Sequence, residues 1–470
     1  MKDCHKLGPL FPSLPLKCVS STLFVVAGLC FSSSLLANNA FNPHGYGTKS
    51  KAMGGAGMAL PEETASVINN PAVALAVAGT MQAGIAVLHP RARYSTSESE
   101  NNGENGTFTI GPNAIEAKKK YRVQPYFATS AQLQENSAVS VALYTRSGLN
   151  INYRGGSATF DPDGDGPEPV QTLPGTFGDG DAKWRVTQTL VDMAYARQVS
   201  EKISLGFAGV LAAQSFKIDG VGSFAPLTET YAESGGSLMP DSLSGNKNDW
   251  AFGAGVKVGI HAQLNNYFSA GLMYQTKIWM GRHRDYSDLI PGHGSLDIPA
   301  NLKAGITWKP LDNLAFSIDA ERIFNAGVDA YSNPIENTFD CPTANQGGTD
   351  TTSCLGGKNG TGLGWNSMNV YKIGGQWGVT ESWTLRAGFS FGDQPISVKQ
   401  VTNNILTPYL AEAHYTLGFS YRMASGSEWN FSAAYSEEES QYYPNTFDPS
   451  QEVMIEADQF DFELSYSWRF

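Results

Sequence analysis

The sequence predicts an all-β fold, a fourteen-stranded antiparallel barrel that crosses a membrane, and three observations carry that prediction. Apolar and polar residues alternate along run after run; short and long connections between the runs also alternate; and tryptophans gather where the runs end. Alternation with a period of two marks a strand with one apolar face, because successive side chains leave a strand on opposite sides. Only 16% of the 470 residues are Asp, Glu, Lys or Arg, against roughly a quarter in an average soluble protein. Part of the surface is therefore expected to meet something other than water.

The chain opens with a segment to be set aside. Lys2, Lys6 and Lys17 precede the apolar run CVSSTLFVVAGLCFSSSLLA, which ends at Ala37 and gives way to Asn38 and Asn39. A basic start, an apolar middle and a small-residue exit form a secretory signal, so residues 1–37 are expected to be removed. A membrane-inserted helix is the alternative, weakened by the Ser-rich second half, and Leu29 stands before Cys30 where a lipoprotein signal has a small residue. Removal takes Lys2, Lys6, Lys17 and Asp3 from totals of 32 basic and 44 acidic residues, leaving 29 and 43, a net −14. Such a chain is a poor nucleic-acid binder.

Of the five cysteines, Cys341 and Cys354 remain after processing. In an oxidising compartment they are expected to close one loop through a disulfide, worth on the order of 3 kcal/mol. Two thiols without a nearby His make no metal site, and no cofactor is indicated. Beyond Ala37 no apolar run reaches the roughly 18 residues of a transmembrane helix, which leaves a soluble protein or a membrane barrel.

Strands are expected, in chain order, at 80–93, 119–133, 137–153, 184–199, 203–216, 248–264, 267–280, 296–309, 314–323, 367–379, 383–393, 412–423, 428–437 and 458–470. The clearest alternations are Trp250, Phe252, Ala254, Val256, Val258 and Ile260; Trp383, Leu385, Ala387, Phe389 and Phe391; and the ending Phe460, Phe462, Leu464, Tyr466, Trp468 and Phe470, with Asp461, Glu463 and Ser465 between. These runs reach the roughly 9 to 11 residues that a tilted strand needs to cross a bilayer. In the third strand Val139, Val141 and Leu143 keep one parity, Thr145 to Gly148 interrupt it, and Leu149, Ile151 and Tyr153 resume it. A glycine there points to a bulge or kink.

Short turns separate long segments at 94–118, 154–183, 217–247, 281–295, 324–366, 394–411 and 438–457. An even strand count with short turns on one side and long loops on the other describes a bacterial outer-membrane barrel, short turns in the periplasm. Trp308, Trp377, Trp383, Trp429 and Trp468 fall beside short turns or the C-terminus, and Trp184 and Trp250 beside long loops, where two interfacial girdles are expected. A soluble β-sandwich also alternates, but not with long apolar faces on nearly every strand.

Residues 38–79 lie between the signal and the first strand, too few for a core of their own; they lie below the barrel opening or fold up inside it. Gly45, Gly47, the small-residue run Ala52 to Gly57, Ala65 and, about ten residues ahead of the first strand, Asn70-Pro71-Ala72 stand in this segment. With fourteen following strands and a terminal Phe, this arrangement resembles the FadL/TodX family of outer-membrane transporters for long-chain fatty acids and other hydrophobic compounds. The resemblance implies that 38–79 is a hatch plugging the barrel formed by 80–470. Asn70, Pro71 and Ala72 then form the hatch motif beside a lateral opening, and Gly148 marks a kink that opens the wall. It further implies a monomer bathed in outer-membrane lipid and lipopolysaccharide, its terminal Phe read by the barrel assembly machinery. Substrate, a long-chain fatty acid or another hydrophobic small molecule, then diffuses passively and leaves sideways into the membrane.

Candidate binding residues follow. The segment 217–247 carries Phe224, Leu227, Leu238 and Met239, which the resemblance places in an initial groove; the alternative is that they pack the loop onto the rim. The next loop adds Leu289 and Ile290. Within the lumen, Lys303 and Arg386 are candidates to hold a carboxylate, or else they pair with lumen acids such as Asp319 or Glu463. Asp161, Asp163 and Asp165 have the spacing of a calcium loop, but Thr172 stands where that loop needs Glu. Gly54, Gly55 and Gly57 follow no strand and precede no Gly-Lys-Ser/Thr, so they are not a phosphate loop. His261 and His414 fall at opposite ends of the interior, and no Ser/His/Asp grouping points to an enzyme. A general water-filled porin is the rival function.

Overall fold

The structure is a computed structural model and describes residues 41–118, 121–161, 169–410 and 413–470. The signal segment 1–37, the first residues of 38–79, and Asp163 and Asp165 of the acidic loop lie outside the described residues.

Fourteen strands form the wall. They are β1 (Thr80–Thr96), β2 (Arg122–Gln134), β3 (Ser137–Tyr153), β4 (Ala182–Ser200), β5 (Ile203–Asp219), β6 (Asp249–Gln263), β7 (Phe268–Gln275), β8 (Asn301–Leu311), β9 (Leu314–Ile323), β10 (Met368–Gly378), β11 (Trp383–Gly392), β12 (Ala413–Arg422), β13 (Glu428–Asn445) and β14 (Asp448–Arg469). Each pairs antiparallel with the next, and β1 closes the ring on β14 in continuous register from Thr80↔Arg469 to Thr96↔Val453. Closure satisfies the backbone polar groups without water, which the bilayer interior requires. The outward side confirms the setting: Phe462 and Leu464 are 49% and 45% exposed while Asp461 and Glu463 are 6% and 3% exposed. That is the reverse of a soluble strand, and only a lipid surround makes it favourable.

The structure departs from the sequence expectations in several places. β13 and β14 run on as a long hairpin, so 438–457 is strand rather than loop. A strand that has left the membrane carries charge on either face, as at Glu437 to Glu439, and Arg91 and Arg93 pair across to Asp458 and Glu456 at 2.5 Å. β7 stops at Gln275 rather than 280, and Trp279 and Met280 regain pairing with β6 at Ala254 and Gly253. β8 begins at Asn301 instead of 296. Trp308, Trp377, Trp383, Trp429 and Trp250 are exposed as girdle residues, joined by Trp279. Trp184 is not among them: it shares the inward parity of Val186, Gln188 and Leu190 and packs edge-on against Phe216, ring centroids 5.0 Å apart.

Residues 41–79 occupy the ring. Two short helices, α1 (Thr48–Ala52) and α2 (Ser66–Asn69), precede a turn at Pro71–Val73. This segment bonds the wall on many sides: the Gly54 amide donates to Thr416 Oγ1 at 2.7 Å, that of Met58 to Asp319 Oδ2 at 2.8 Å, and that of Ala65 to Gln82 Oε1 at 2.9 Å. Lys49 and Lys51 reach Glu428 and Glu463, each at 2.6 Å. Inward glycines of the wall make the fit. A Cβ on Gly388 would lie 2.0 Å from the carbonyl carbon of Met53, one on Gly206 2.3 Å from the Ala72 nitrogen, and one on Gly259 2.1 Å from Asn70 Oδ1. Glycine is the residue that permits such close backbone approach.

Candidate functional site

The long loops fold together over the outer mouth around a cluster of buried apolar side chains. Within it lies a cavity with about 990 Å³ of atom-free space including its mouth, lined by Phe177, Trp184, Phe216, Phe224, Leu227 and Leu406, among others, mostly apolar. Three loops hold its shape. Phe224 of the 217–247 segment contacts Phe108, Phe177 and Phe447, with centroids 5.1, 5.7 and 6.1 Å apart. Cys341 and Cys354 form the disulfide expected from the sequence, and Leu355 beside it donates its amide to the Leu227 carbonyl at 2.9 Å. Leu289 and Ile290 of the short 281–295 loop complete the lining. Behind them His283 is buried, and Gln214 Nε2 lies 2.9 Å from its Nε2. Burial lowers the His283 pKa to about 4, opposed by Asp249.

A second cavity, with about 750 Å³ of atom-free space including its mouth, is lined by Phe41 to His44 and Lys51 of the plug and by residues of β1, β2, β3 and β14. Phe41, Tyr331, Trp365 and Tyr409 form an aromatic group with centroids between 4.9 and 5.6 Å apart. Phe41 and Tyr409 face the second cavity, while Ala330, Leu363 and Leu406, near the other two rings or Tyr409 in sequence, face the first. Tyr331 and Trp365 themselves line neither cavity.

The wall beside the second cavity is incomplete. β1 and β2 pair as far as Leu88↔Arg122, but β2 and β3 pair only as far as Tyr126↔Tyr144. The next backbone bond across this seam among the described residues is Lys118 N to Asn152 O at 2.8 Å. A register shift falls between Thr145 and Ser147 on β3. One extra residue reverses the facing of everything beyond it: Val139, Val141 and Leu143 are exposed, whereas Leu149, Ile151 and Tyr153 are buried. The apolar parity that resumes in the sequence therefore resumes on the other face. Gly148 lines the cavity at this gap, where a Cβ would meet only Arg122 Nη1 at 3.6 Å, Gln124 Nε2 at 3.7 Å and the Val186 carbonyl oxygen at 4.0 Å.

The sequence candidates separate. Phe224 and Leu227 line the outer cavity; Leu238 and Met239 lie outside it, 59% and 68% exposed. Asn70 is fully buried, donating from Nδ2 to the Ile260 carbonyl at 3.0 Å and accepting from the Ala72 amide at 3.0 Å, so that Asn70, Pro71 and Ala72 form a tight turn against β5 and β6. Lys303 lies 3.5 Å from Glu321, which Lys372 also reaches at 2.9 Å. Arg386 donates to Ser420 at 2.6 Å and to Gln376 at 3.0 Å and lies 3.5 Å from Glu62 of the plug. These two cations line neither large cavity, and their partners are not the Asp319 and Glu463 considered from sequence, which hold Met58 and Lys51 instead. The lining residues of loops 324–366 and 394–411 were not candidates, since loop residues carry no periodic signal, and Trp184 and Phe216, on β4 and β5, read from the sequence only as strand-end residues.

A closed barrel with an apolar outward face, its bore filled by its own leading segment and an apolar cavity beneath the outer loops, defines an outer-membrane channel for hydrophobic compounds. The sequence matches the family described as outer membrane protein transport protein (OMPP1/FadL/TodX) over residues 25–456, and the chain belongs to that family. Its fold is similar to that of the P. putida toluene transporter TodX, at 16% identity over 91% of this chain and 99% of that one, with a TM-score of 0.61. It is also similar to a Pseudomonas aeruginosa FadL homologue, at 15% identity over 93% and 100% with a TM-score of 0.60, and to the Ralstonia pickettii toluene transporter TbuX, at 17% over 92% and 100% with a TM-score of 0.52. No curated protein sequence matches the chain. The family is one of transport channels, not enzymes.

Proposed function

We propose that the protein admits hydrophobic small molecules by passive diffusion along a bent route rather than straight through the bore. Substrate enters the outer cavity beside Phe224 and Leu227, passes the aromatic group of Phe41, Tyr331, Trp365 and Tyr409, reaches the second cavity, and leaves between β2 and β3 into the membrane. The observation that carries this reading is the coincidence of a filled bore with a seam in the wall that opens beside a cavity. A sideways exit spares the apolar molecule a passage through periplasmic water, so hydrophobic transfer itself supplies the gradient. Turn Asn70 to Ala72, which rests on the glycines of β5 and β6 and does not line the second cavity, acts in this reading by anchoring the plug.

The reading is tested by uptake of a long-chain fatty acid and of an aromatic hydrocarbon into cells carrying the wild type or Gly148→Trp. An indole at 148 fills the seam while the strand keeps its pairing to β4. Uptake is expected to fall severalfold with the barrel still folded; unchanged uptake of both compounds would rule out the exit. Mass spectrometry of apolar molecules that co-purify with the protein names the substrate class.

A further inference from the structure

Among the described residues, the second cavity holds two cations without acidic partners, and the geometry points to a binding site for the anionic head of an amphiphile, made by Arg122 and Arg146 at the seam. This rests on the proposed exit route and deepens it, since it selects acidic over neutral apolar molecules. Arg122 opens β2 at the edge of the gap, and its Nε and Nη2 are buried with no hydrogen-bond partner. Arg146 is the bulged residue of β3; it is 3% exposed, and its Nη1 donates to the neutral amide of Gln188 at 2.5 Å. Both line the cavity, and among the described residues neither is in an ion pair with a carboxylate.

The other charges around the cavity are largely matched. Arg91 is bonded to Asp458, Lys51 lies 2.6 Å from Glu463, and Asp461 lies 3.7 Å from His44, with its Oδ1 buried and unpartnered. Asp461 offsets one guanidinium, so among the described lining residues the two arginines leave an excess of one positive charge. Buried guanidinium donors left without partners, as at Arg122, are costly, and a planar fork of donors suits a carboxylate or phosphate oxyanion. The apolar side chains of Leu88, Leu149 and Ile151 stand beside them for the tail.

The test compares binding of a long-chain fatty acid with that of the fatty alcohol of equal length, using delipidated protein in a non-ionic detergent. The wild type is expected to prefer the acid, Arg122→Gln to lose about tenfold or more of its acid affinity while keeping alcohol affinity, and Arg122→Lys to retain part of the preference. Equal weakening of both ligands in Arg122→Gln, or an unchanged acid-to-alcohol ratio, would overturn the proposal, and the alcohol data then show separately whether the apolar route stands. Asp461→Asn is expected to strengthen acid binding; if it instead behaves as Arg122→Gln does, the two residues form a structural pair and the site is wrong. Native mass spectrometry before delipidation separates the sources: a phospholipid retained by the wild type and lost in Arg122→Gln, with no preference for acid over alcohol, would assign the arginines to membrane lipid and not to cargo.

Discussion

Replacing Gly388 with Ala tests whether the plug is seated by the wall or merely lies near it. The new methyl carbon would stand 2.0 Å from the Met53 carbonyl carbon and 2.2 Å from the Gly54 nitrogen, where 3.4 Å is the start of ordinary contact, so the plug must retreat by about 1.4 Å, the difference of 3.4 and 2.0. Gly54 is itself packed closely on the wall, where a Cβ added to it would lie 2.7 Å from the Phe389 backbone. Retreat breaks the bond from the Gly54 amide to Thr416 Oγ1 and that from Thr416 Oγ1 to the Ala52 carbonyl. Two hydrogen bonds at about 1 kcal/mol each and an overpacking cost of about 1 to 3 kcal/mol loosen the plug by about 3 to 5 kcal/mol. The β11 strand faces lipid with its other side, so the barrel itself is expected to survive, seen as an unchanged shift in gel mobility on heating. Planar-bilayer recordings are expected to show ion current through Gly388→Ala and none of comparable size through the wild type. Gly209→Ala, where the added carbon meets nothing within 4 Å, is the control. A silent Gly388→Ala would refute the view that wall glycines seat the plug.

Other perturbations address the outer cavity and the plug turn. Phe224→Ala removes a ring shared by three aromatic neighbours and is expected to weaken binding of an apolar ligand by about 1 to 3 kcal/mol, measured by fluorescence titration. Cys341→Ser with Cys354→Ser frees a loop held by a link worth about 3 kcal/mol; ligand affinity is expected to fall while barrel mobility on gels is unchanged, because Leu355 anchors Leu227 from within that loop. Asn70→Ala deletes the bonds to Ile260 and Ala72 and is expected to raise susceptibility of the plug to added protease, read by fragment mass. Acid has a predictable sign at His283. Its folded pKa of about 4 lies below its unfolded value of 6.5, so the unfolded loop binds more protons between these values and loop stability falls as pH drops from 6.5 towards 4. Ligand affinity is expected to decline across that window, and His283→Gln to flatten the decline.

The strands were legible because the bilayer imposes a strict rule on one face of each: all fourteen expected runs overlap wall strands, down to Phe460 through Trp468 alternating with Asp461 and Glu463. Outside the bilayer that rule lapses, which is why the charged continuation of β13 and β14 read as a loop. The bulge at Arg146 shows a different limit. Composition reveals that parity is disturbed at Thr145 to Gly148, but whether the face reverses depends on how many residues lie opposite β4. The disulfide was legible from cysteine count and compartment, whereas the apolar setting of loop 217–247 did not separate Phe224 and Leu227, which line the cavity, from Leu238 and Met239, which do not. The rest of the cavity comes from loops distant in sequence, and the seating of the plug from glycines whose partners lie up to hundreds of residues away. Arg122 and Arg146 stand out only once the ion pairs of Lys51 and Arg91 remove those cations from consideration.

The central claim is that hydrophobic molecules pass while the bore stays shut, and liposome loading measures both halves at once. Purified protein reconstituted into liposomes is expected to permit no swelling in an isotonic solution of a small sugar, yet to speed transfer of a fluorescent fatty acid from outside into the bilayer, with Gly148→Trp slowing the transfer. Swelling in the sugar solution, with fatty-acid transfer no faster than in protein-free liposomes, would contradict the account and identify an open aqueous pore.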